Sequence, residues 1–339
     1  MDHKQVFEEF KSRCEAAGYL EPIHGEPGDD LASGINDDGT LLRFLRAREY
    51  NVENAFVQFS KTQKWRDANQ LIKLYETIDV NSFEDTRKMY THWTGRRDRK
   101  GTPICLFEIG HLTPSVMQAY SKSCLANSVR TTQTESEAML RLFCTYESLV
   151  RFIMPLCSAI PNRVKPDLPV TSTTCIVDIS GVGIMQFWRL NSHLQAASAL
   201  ATANYPETLG KTFVIGAPSF FSTIWGWLNG WFDKNTVSKI CIVPPGQELT
   251  LLSEIIDPNN IPTKYGGTHD FSFGMFPDLD DEIKGNMTWL DDDLAKDKRL
   301  PVGSMRWIEK DGQRRVLAVG TENGVARHKE VIALTKANN

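Results

Sequence analysis

Few stretches of this chain carry the residue types that catalysis needs. Gly181-Val-Gly183 lies between a strand-like run and a helix-like run, the setting of a dinucleotide fingerprint. Gln186 replaces the third glycine, and no acidic residue follows about 20 positions on at a second strand end, so a dehydrogenase is not expected. Gly216-Ala-Pro-Ser219 approaches the G-x-S-x-G elbow of a serine hydrolase, but Phe221 replaces the second glycine. His193 and Asp178 could be drafted into a triad with that serine, yet single residues of these types in α/β domains are usually structural. A phosphate-cradling G-x-x-x-x-G-K-[ST] does not occur. The seven histidines lack metal-ligand spacing and the seven cysteines form no C-x-x-C pair, so no structural zinc is expected. An odd number of scattered cysteines points to buried, reduced thiols of a cytosolic protein. Neither an enzyme nor a cofactor is predicted.

The stretch Tyr205 to Val243 offers a different chemistry, that of apolar surface. Wound as a helix, Phe220, Phe221, Ile224, Trp225, Trp227, Leu228, Trp231 and Phe232 fall within an arc of roughly 160°. Ser222, Thr223, Gly226, Asn229 and Gly230 fill the other side. Such a helix would be about 21 Å long, too short to span a bilayer. Its tryptophans suit either a large core or a lipid interface.

The elements that must position this stretch are legible around it. Asp37 and Asp38 can cap a helix running LLRFLRAR, and Asn51 can cap a second that leads to Trp65 and Arg66. Residues 97 to 103 are turn chemistry before the apolar strand ICLFEIG. A helix is expected over about 115–130, and a longer one from Glu135 to Met154 that ends before Pro155. TTCIVDI, TFVIGA and KICIVPP read as further strands, with a helix over Ile184 to Asn204 between the first two. Strands apolar on both faces that alternate with helices predict an α/β fold with a mainly parallel sheet. The domain reading is 1–85, a helical module; 86–276, the α/β domain; and 277–339, an acidic linker with a C-terminal hairpin turning at Asp311–Gly312. That tail reads as a peripheral appendage.

Composition sets bounds. A charged fraction of 24% and hydrophobic content of 41% are ordinary for a soluble globular protein. The net charge of −4 argues against nucleic acid as a partner. No run of about 18 apolar residues predicts a membrane span, and the charged start MDHKQVFEEF is not a signal peptide.

LLRFLRAREYNVENAFVQFSKTQKWR resembles the N-terminal helical module of the CRAL-TRIO lipid-binding family. YPETLGKTFVIGAPSFFSTIW, NTVSKI and IPTKYGG resemble its lipid domain in the phosphatidylinositol/phosphatidylcholine transfer branch, so the resemblance runs from about residue 38 to 275. It implies an α/β lipid cup closed by a mobile gating helix, the place where the aromatic helix falls. It also implies a phosphatidylinositol headgroup site in which Thr236 and Lys239 hold the phosphate, while Arg66 and Glu207 pair to frame the inositol. Asp98 and Pro103 would form a turn lining that site, and Gly210, Gly266 and Gly267 would be hinge points. A second-lipid site would use Tyr146, Thr173 and the positions of Cys105 and Cys175, where the family carries a tyrosine and a hydroxyl. The thiols weaken phosphatidylcholine recognition and leave room for another ligand such as a sterol, a tocopherol-like molecule or haem. The resemblance further implies a monomer, transient contact with internal membranes such as Golgi or endosome, and presentation of phosphatidylinositol to lipid kinases.

Overall fold

The computed structural model describes residues 2–22, 35–126, 134–218, 221, 225–226, 230 and 234–335. In the N-terminal module, α1 (His3–Ala16) packs on two helices whose starts are fixed by side-chain caps. The Asp37 carboxylate accepts from Thr40 N at the head of α2 (Asp38–Ala47). The Asn51 amide oxygen does the same for Asn54 N at the head of α3 (Val52–Ala68). Phe10 and Phe44 meet Phe59 edge to face, closing a small core between the three helices. Two shorter helices, α4 (Leu71–Thr77) and α5 (Val80–Met89), lead into the sheet.

The central sheet has the order β1 (His92–Arg97), β2 (Pro103–Glu108), β3 (Thr173–Asp178), β4 (Leu209–Ile215), β5 (Ile240–Ile242). All neighbours from β2 onward are parallel, and β1 is an antiparallel edge. Strand β1 escapes the sequence pattern because THWTGRR is polar. Its Arg97 is buried because Asp280 accepts from it at 2.7 and 2.9 Å and Glu282 at 2.8 Å. Alternate side chains then divide the sheet's two faces. Ile104, Leu106, Ile176 and Phe213 pack against the segment that contains Leu252, Ile261 and Phe271. Cys105, Phe107, Thr173, Cys175 and Val177 face a cavity on the other side.

Helices α6 (Pro114–Ala126), α7 (Glu137–Ser148), α8 (Met154–Ala159) and α9 (Ile184–Asn204) follow in the same domain. The sequence suggested one helix to Met154 with Pro155 as its stop. Instead a five-residue π turn, Leu149–Ile153, joins α7 to α8. Pro155 sits in the first turn of α8 directly after that π turn, and the helical path runs on through it.

The C-terminal segment forms a second sheet from β6 (Met287–Trp289), β7 (Met305–Lys310) and β8 (Gln313–Ala318), with a short ribbon of β9 (Thr321–Glu322) and β10 (Val325–Ala326) before β11 (Lys329–Leu334). Its order is β6-β11-β8-β7. The hairpin turns at Asp311–Gly312, both at positive φ as a two-residue turn demands. This sheet is no peripheral appendage. Met305, Trp307, Val316 and Ile332 belong to the main core, and Trp307 stacks on Phe152 of the π turn at 5.4 Å.

Candidate functional site

The cavity above the sheet measures about 990 Å³, near the top of the roughly 300–1,000 Å³ range of small-molecule sites. It crosses the sheet from Trp93 of β1 to Lys239 before β5, four strand gaps of about 4.8 Å, or about 19 Å in all. Its roof includes Tyr146 of α7, Leu149 and Phe152 of the π turn, and Leu194, Ala197 and Ala201 of α9.

The β5 end of this chamber carries a small polar set. Lys239 Nζ donates to Glu207 Oε2 at 2.8 Å and to Leu209 O at 3.3 Å. Asn235 Nδ2 donates to the other oxygen of Glu207 at 3.0 Å. The one-turn helix Lys234–Ser238 sets Thr236 three residues before Lys239, and Lys239 N donates to Thr236 O at 3.1 Å. Thr236, Lys239 and Glu207 all line the cavity. The Lys239 and Glu207 side chains are 23% and 19% exposed, so the pair is partly hydrated and can exchange partners with an arriving anion.

Arg66 is elsewhere. It does not pair with Glu207; it is bound to Glu147 at 2.9 Å, with both side chains almost fully buried. Asn36 Oδ1 accepts from Arg66 at 3.1 Å, the Tyr205 hydroxyl donates to Glu147 at 2.5 Å, and the guanidinium lies 5.5 Å from the Tyr205 ring centre. Burial, together with the Glu147 carboxylate, pushes the Tyr205 phenol far above its ordinary value, so it stays a donor. Glu207 is occupied by Lys239, and Glu147, absent from the sequence reading, takes the arginine. Asp98 also serves the scaffold. Its carboxylate accepts from Lys100 N, Thr102 N and the Thr174 hydroxyl, on the sheet face away from the cavity. Neither Asp98 nor Pro103, the first residue of β2, is part of the cavity surface.

Cys105, Tyr146, Thr173 and Cys175 are brought together on the cavity surface. Parallel register sets Cys105 beside Cys175, and the Thr173 hydroxyl lies 3.2 Å from the Cys175 sulfur while donating to Thr208 O at 3.2 Å. The Cys175 sulfur beside it and burial hold the Cys105 thiol well above its usual range, and burial pushes Tyr146 up to about 12. The hydrogen bond with Cys105 in turn holds the Cys175 thiol below its usual value.

Of the aromatic stretch, Phe221 and Trp225 are described. Their rings stack at 5.9 Å, and Phe221 is buried against Ile179, Val182 and Val214. Phe220, Ile224, Trp227, Leu228, Trp231 and Phe232 lie outside the described residues. Gly210 and Gly267 allow close backbone approaches, since a Cβ would fall 2.4 Å from Thr173 O and 2.1 Å from Ile261 O respectively. Gly266 has φ 89° and closes a short helical turn.

Sequence reasoning missed Tyr205, Phe107 and Phe152 as cavity residues, although Tyr205 opens the very motif that yielded Glu207. It also missed His92, which is buried between Tyr90 O at 3.0 Å and Gly274 N at 3.2 Å. Burial lowers the His92 pKa to about 4. The unfolded chain then binds more protons than the folded one between about pH 6.5 and 4, so stability falls as pH falls through that window. This histidine alone is expected to contribute a slope of up to about 1.4 kcal/mol per pH unit there. Urea melts of wild type and His92→Gln across pH 4–7 check it; an unchanged slope in the variant would refute the assignment.

A helical module joined to an α/β domain, with one face of a mainly parallel sheet turned to a large chamber, defines the class of fold. Residues 86–267 match the CRAL/TRIO domain and residues 4–61 the CRAL/TRIO N-terminal domain. The chain belongs to the CRAL/TRIO family. It is 30% identical over 262 residues to the SEC14 cytosolic factor of Candida glabrata, covering 77% of this chain and 76% of that one. It is 32% identical over 231 residues to the Sec14 cytosolic factor of Schizosaccharomyces pombe, covering 68% and 74%. An Arabidopsis thaliana phosphatidylinositol/phosphatidylcholine transfer protein, SFH9, is 29% identical over 70% of this chain and 38% of that one. The crystal structure of Sfh5 superposes with a TM-score of 0.54 at 15% identity, covering 80% of this chain and 89% of the other, which speaks to fold alone.

Proposed function

We propose that this protein extracts phosphatidylinositol from a membrane into its cavity and exchanges it between membranes. The observation that carries the reading is the Lys239–Glu207 pair beside Thr236 at one end of a large chamber. A cation next to a hydroxyl suits a phosphodiester, because both donate strong hydrogen bonds to it. Two acyl chains hold about 30 methylenes, whose burial from water is worth more than about 20 kcal/mol. A bilayer offers nearly the same, so the tails move almost without cost and the headgroup contacts supply selectivity. The names of the Arabidopsis and fungal relatives, a phosphatidylinositol/phosphatidylcholine transfer protein and cytosolic factors, support the same reading.

On this reading the bound phospholipid is the ligand and no cofactor or catalytic step is needed. The protein works as a cytosolic monomer that visits internal membranes such as Golgi or endosome and supplies lipid kinases. The aromatic stretch acts as the gate, with Gly210, Gly266 and Gly267 as hinge points, and Phe221 and Trp225 part of its apolar face. The Cys105, Cys175, Thr173 and Tyr146 wall favours a second ligand that asks little hydrogen bonding, which disfavours phosphatidylcholine relative to a less polar molecule.

Transfer of labelled phosphatidylinositol between vesicles tests the headgroup site. Lys239→Ala is expected to slow transfer at least tenfold, equivalent to about 1.4 kcal/mol. Full activity in that variant would overturn the proposal.

A further inference from the structure

One wall of the cavity comes from a segment beyond the two family matches, which span residues 4–61 and 86–267. Sheet order puts β5 at one edge and β1 at the other. Leu300, Pro301, Gly303 and Met305 line the chamber together with Phe83 of α5 and Phe152 of the π turn. The segment is tied to α5, the helix that precedes β1 in sequence, because Glu84 accepts from Gly303 N at 3.1 Å.

Its position is held from several sides. The Tyr75 hydroxyl donates to Met305 O and accepts from Met305 N at 3.2 Å. The Arg327 guanidinium donates to Val302 O at 2.7 Å and to Val319 O at 2.8 Å. Gly303 has φ +84°, and a Cβ there would come within 2.9 Å of Arg327 Nη2 and 3.2 Å of Val80. The wall therefore has little room to shift outward, and a packed interior resists insertion of even one extra methylene.

We propose that this C-terminal wall limits the length of the hydrocarbon tails the cavity accepts, with Leu300 and Met305 as the specificity-determining side chains. The inference rests on the reading of the cavity as a phospholipid site with the headgroup at Lys239. Tails anchored there run across the sheet toward β1 and end against this wall. Because a bilayer already buries every methylene, one that the cavity cannot hold disfavours loading by about fourfold, so a change of wall volume shifts the tail lengths that load.

The full chain, incubated with vesicles of phosphatidylinositol and phosphatidylcholine of mixed chain length and recovered, is analysed by native mass spectrometry with lipid extraction. Met305→Trp and Leu300→Trp are expected to shift the bound lipid to shorter tails by one methylene or more. Met305→Ala is expected to shift it to longer ones, with the headgroup class unchanged in all three. Lys239→Ala serves as the contrast, lowering phosphatidylinositol loading without changing tail length. Should the tryptophan variants fail to fold, Met305→Ala decides alone. If wild type loads lipid and Met305→Ala carries an unchanged tail distribution, the inference is overturned while the lipid reading stands. If wild type loads no phospholipid, the lipid reading falls and the inference with it.

Discussion

Alanine in place of Glu147 is expected to cost about 3–5 kcal/mol of unfolding free energy, because it strands a buried guanidinium. The Arg66 and Glu147 side chains are 3% and 0% exposed and are joined at 2.9 Å, with Asn36 and Tyr205 completing the network. Arg66→Ala should cost a similar amount by leaving the carboxylate alone. The Arg66→Met, Glu147→Leu double variant should recover part of the loss, since an apolar pair of similar volume avoids desolvating either charge while the Tyr205 hydroxyl and Asn36 oxygen lose a partner. Urea unfolding of the four proteins measures this directly. A loss below about 1 kcal/mol in both single variants would mean that the pair behaves as a surface ion pair, and the structural role given to Arg66 would be wrong. The same variants separate two roles for this arginine: a scaffold residue moves the unfolding midpoint first, whereas a headgroup ligand moves lipid loading at unchanged stability.

Trp307→Ala is the second large effect, about 3–5 kcal/mol for loss of a buried indole. Trp307 is 3% exposed, stacks on Phe152 with an interplanar angle of 22° and donates its Nε1–H to Phe152 O at 3.2 Å. That carbonyl belongs to the π turn, so removal of the indole loosens the cavity roof as well as the C-terminal sheet. Thermal unfolding should show one cooperative transition at a lower midpoint. A change within about 0.5 kcal/mol, the range of surface substitutions, would return the C-terminal sheet to the status of an appendage.

Local chemistry in the sequence located many elements well. Asp37 and Asn51 cap α2 and α3 as their side chains require, the helix Ile184–Asn204 has the expected ends, and Asp311–Gly312 makes the turn of the hairpin. What the sequence concealed depends on contacts between distant residues. Strand β1 is polar, and its burial is tolerated only because Asp280 and Glu282 neutralise Arg97 from more than 180 positions away. Pro155 looks like a stop by itself, but the helical path continues through it by way of the π turn before it. Within the site, Lys239, Thr236 and Glu207 were legible through a resemblance, and the structure sets them on one cavity. The partner of Arg66 was not legible, because either glutamate is chemically suitable and only the fold selects Glu147.

The wall that contains Leu300 and Met305 has a consequence for the order of events as the chain is made. Tyr75 and Met305, which exchange hydrogen bonds, are separated by 230 positions in sequence. Contacts of such separation carry a large loop-closure cost and form slowly. A ribosome releases the central sheet and Lys239 first, while the side of the chamber at Leu300 and Met305 stays open until the segment leading into β7 has emerged. The compartment is thus completed only once residues 300–305 are in place, and a chain cut before them keeps its floor and polar end but lacks the Leu300 and Met305 side chains.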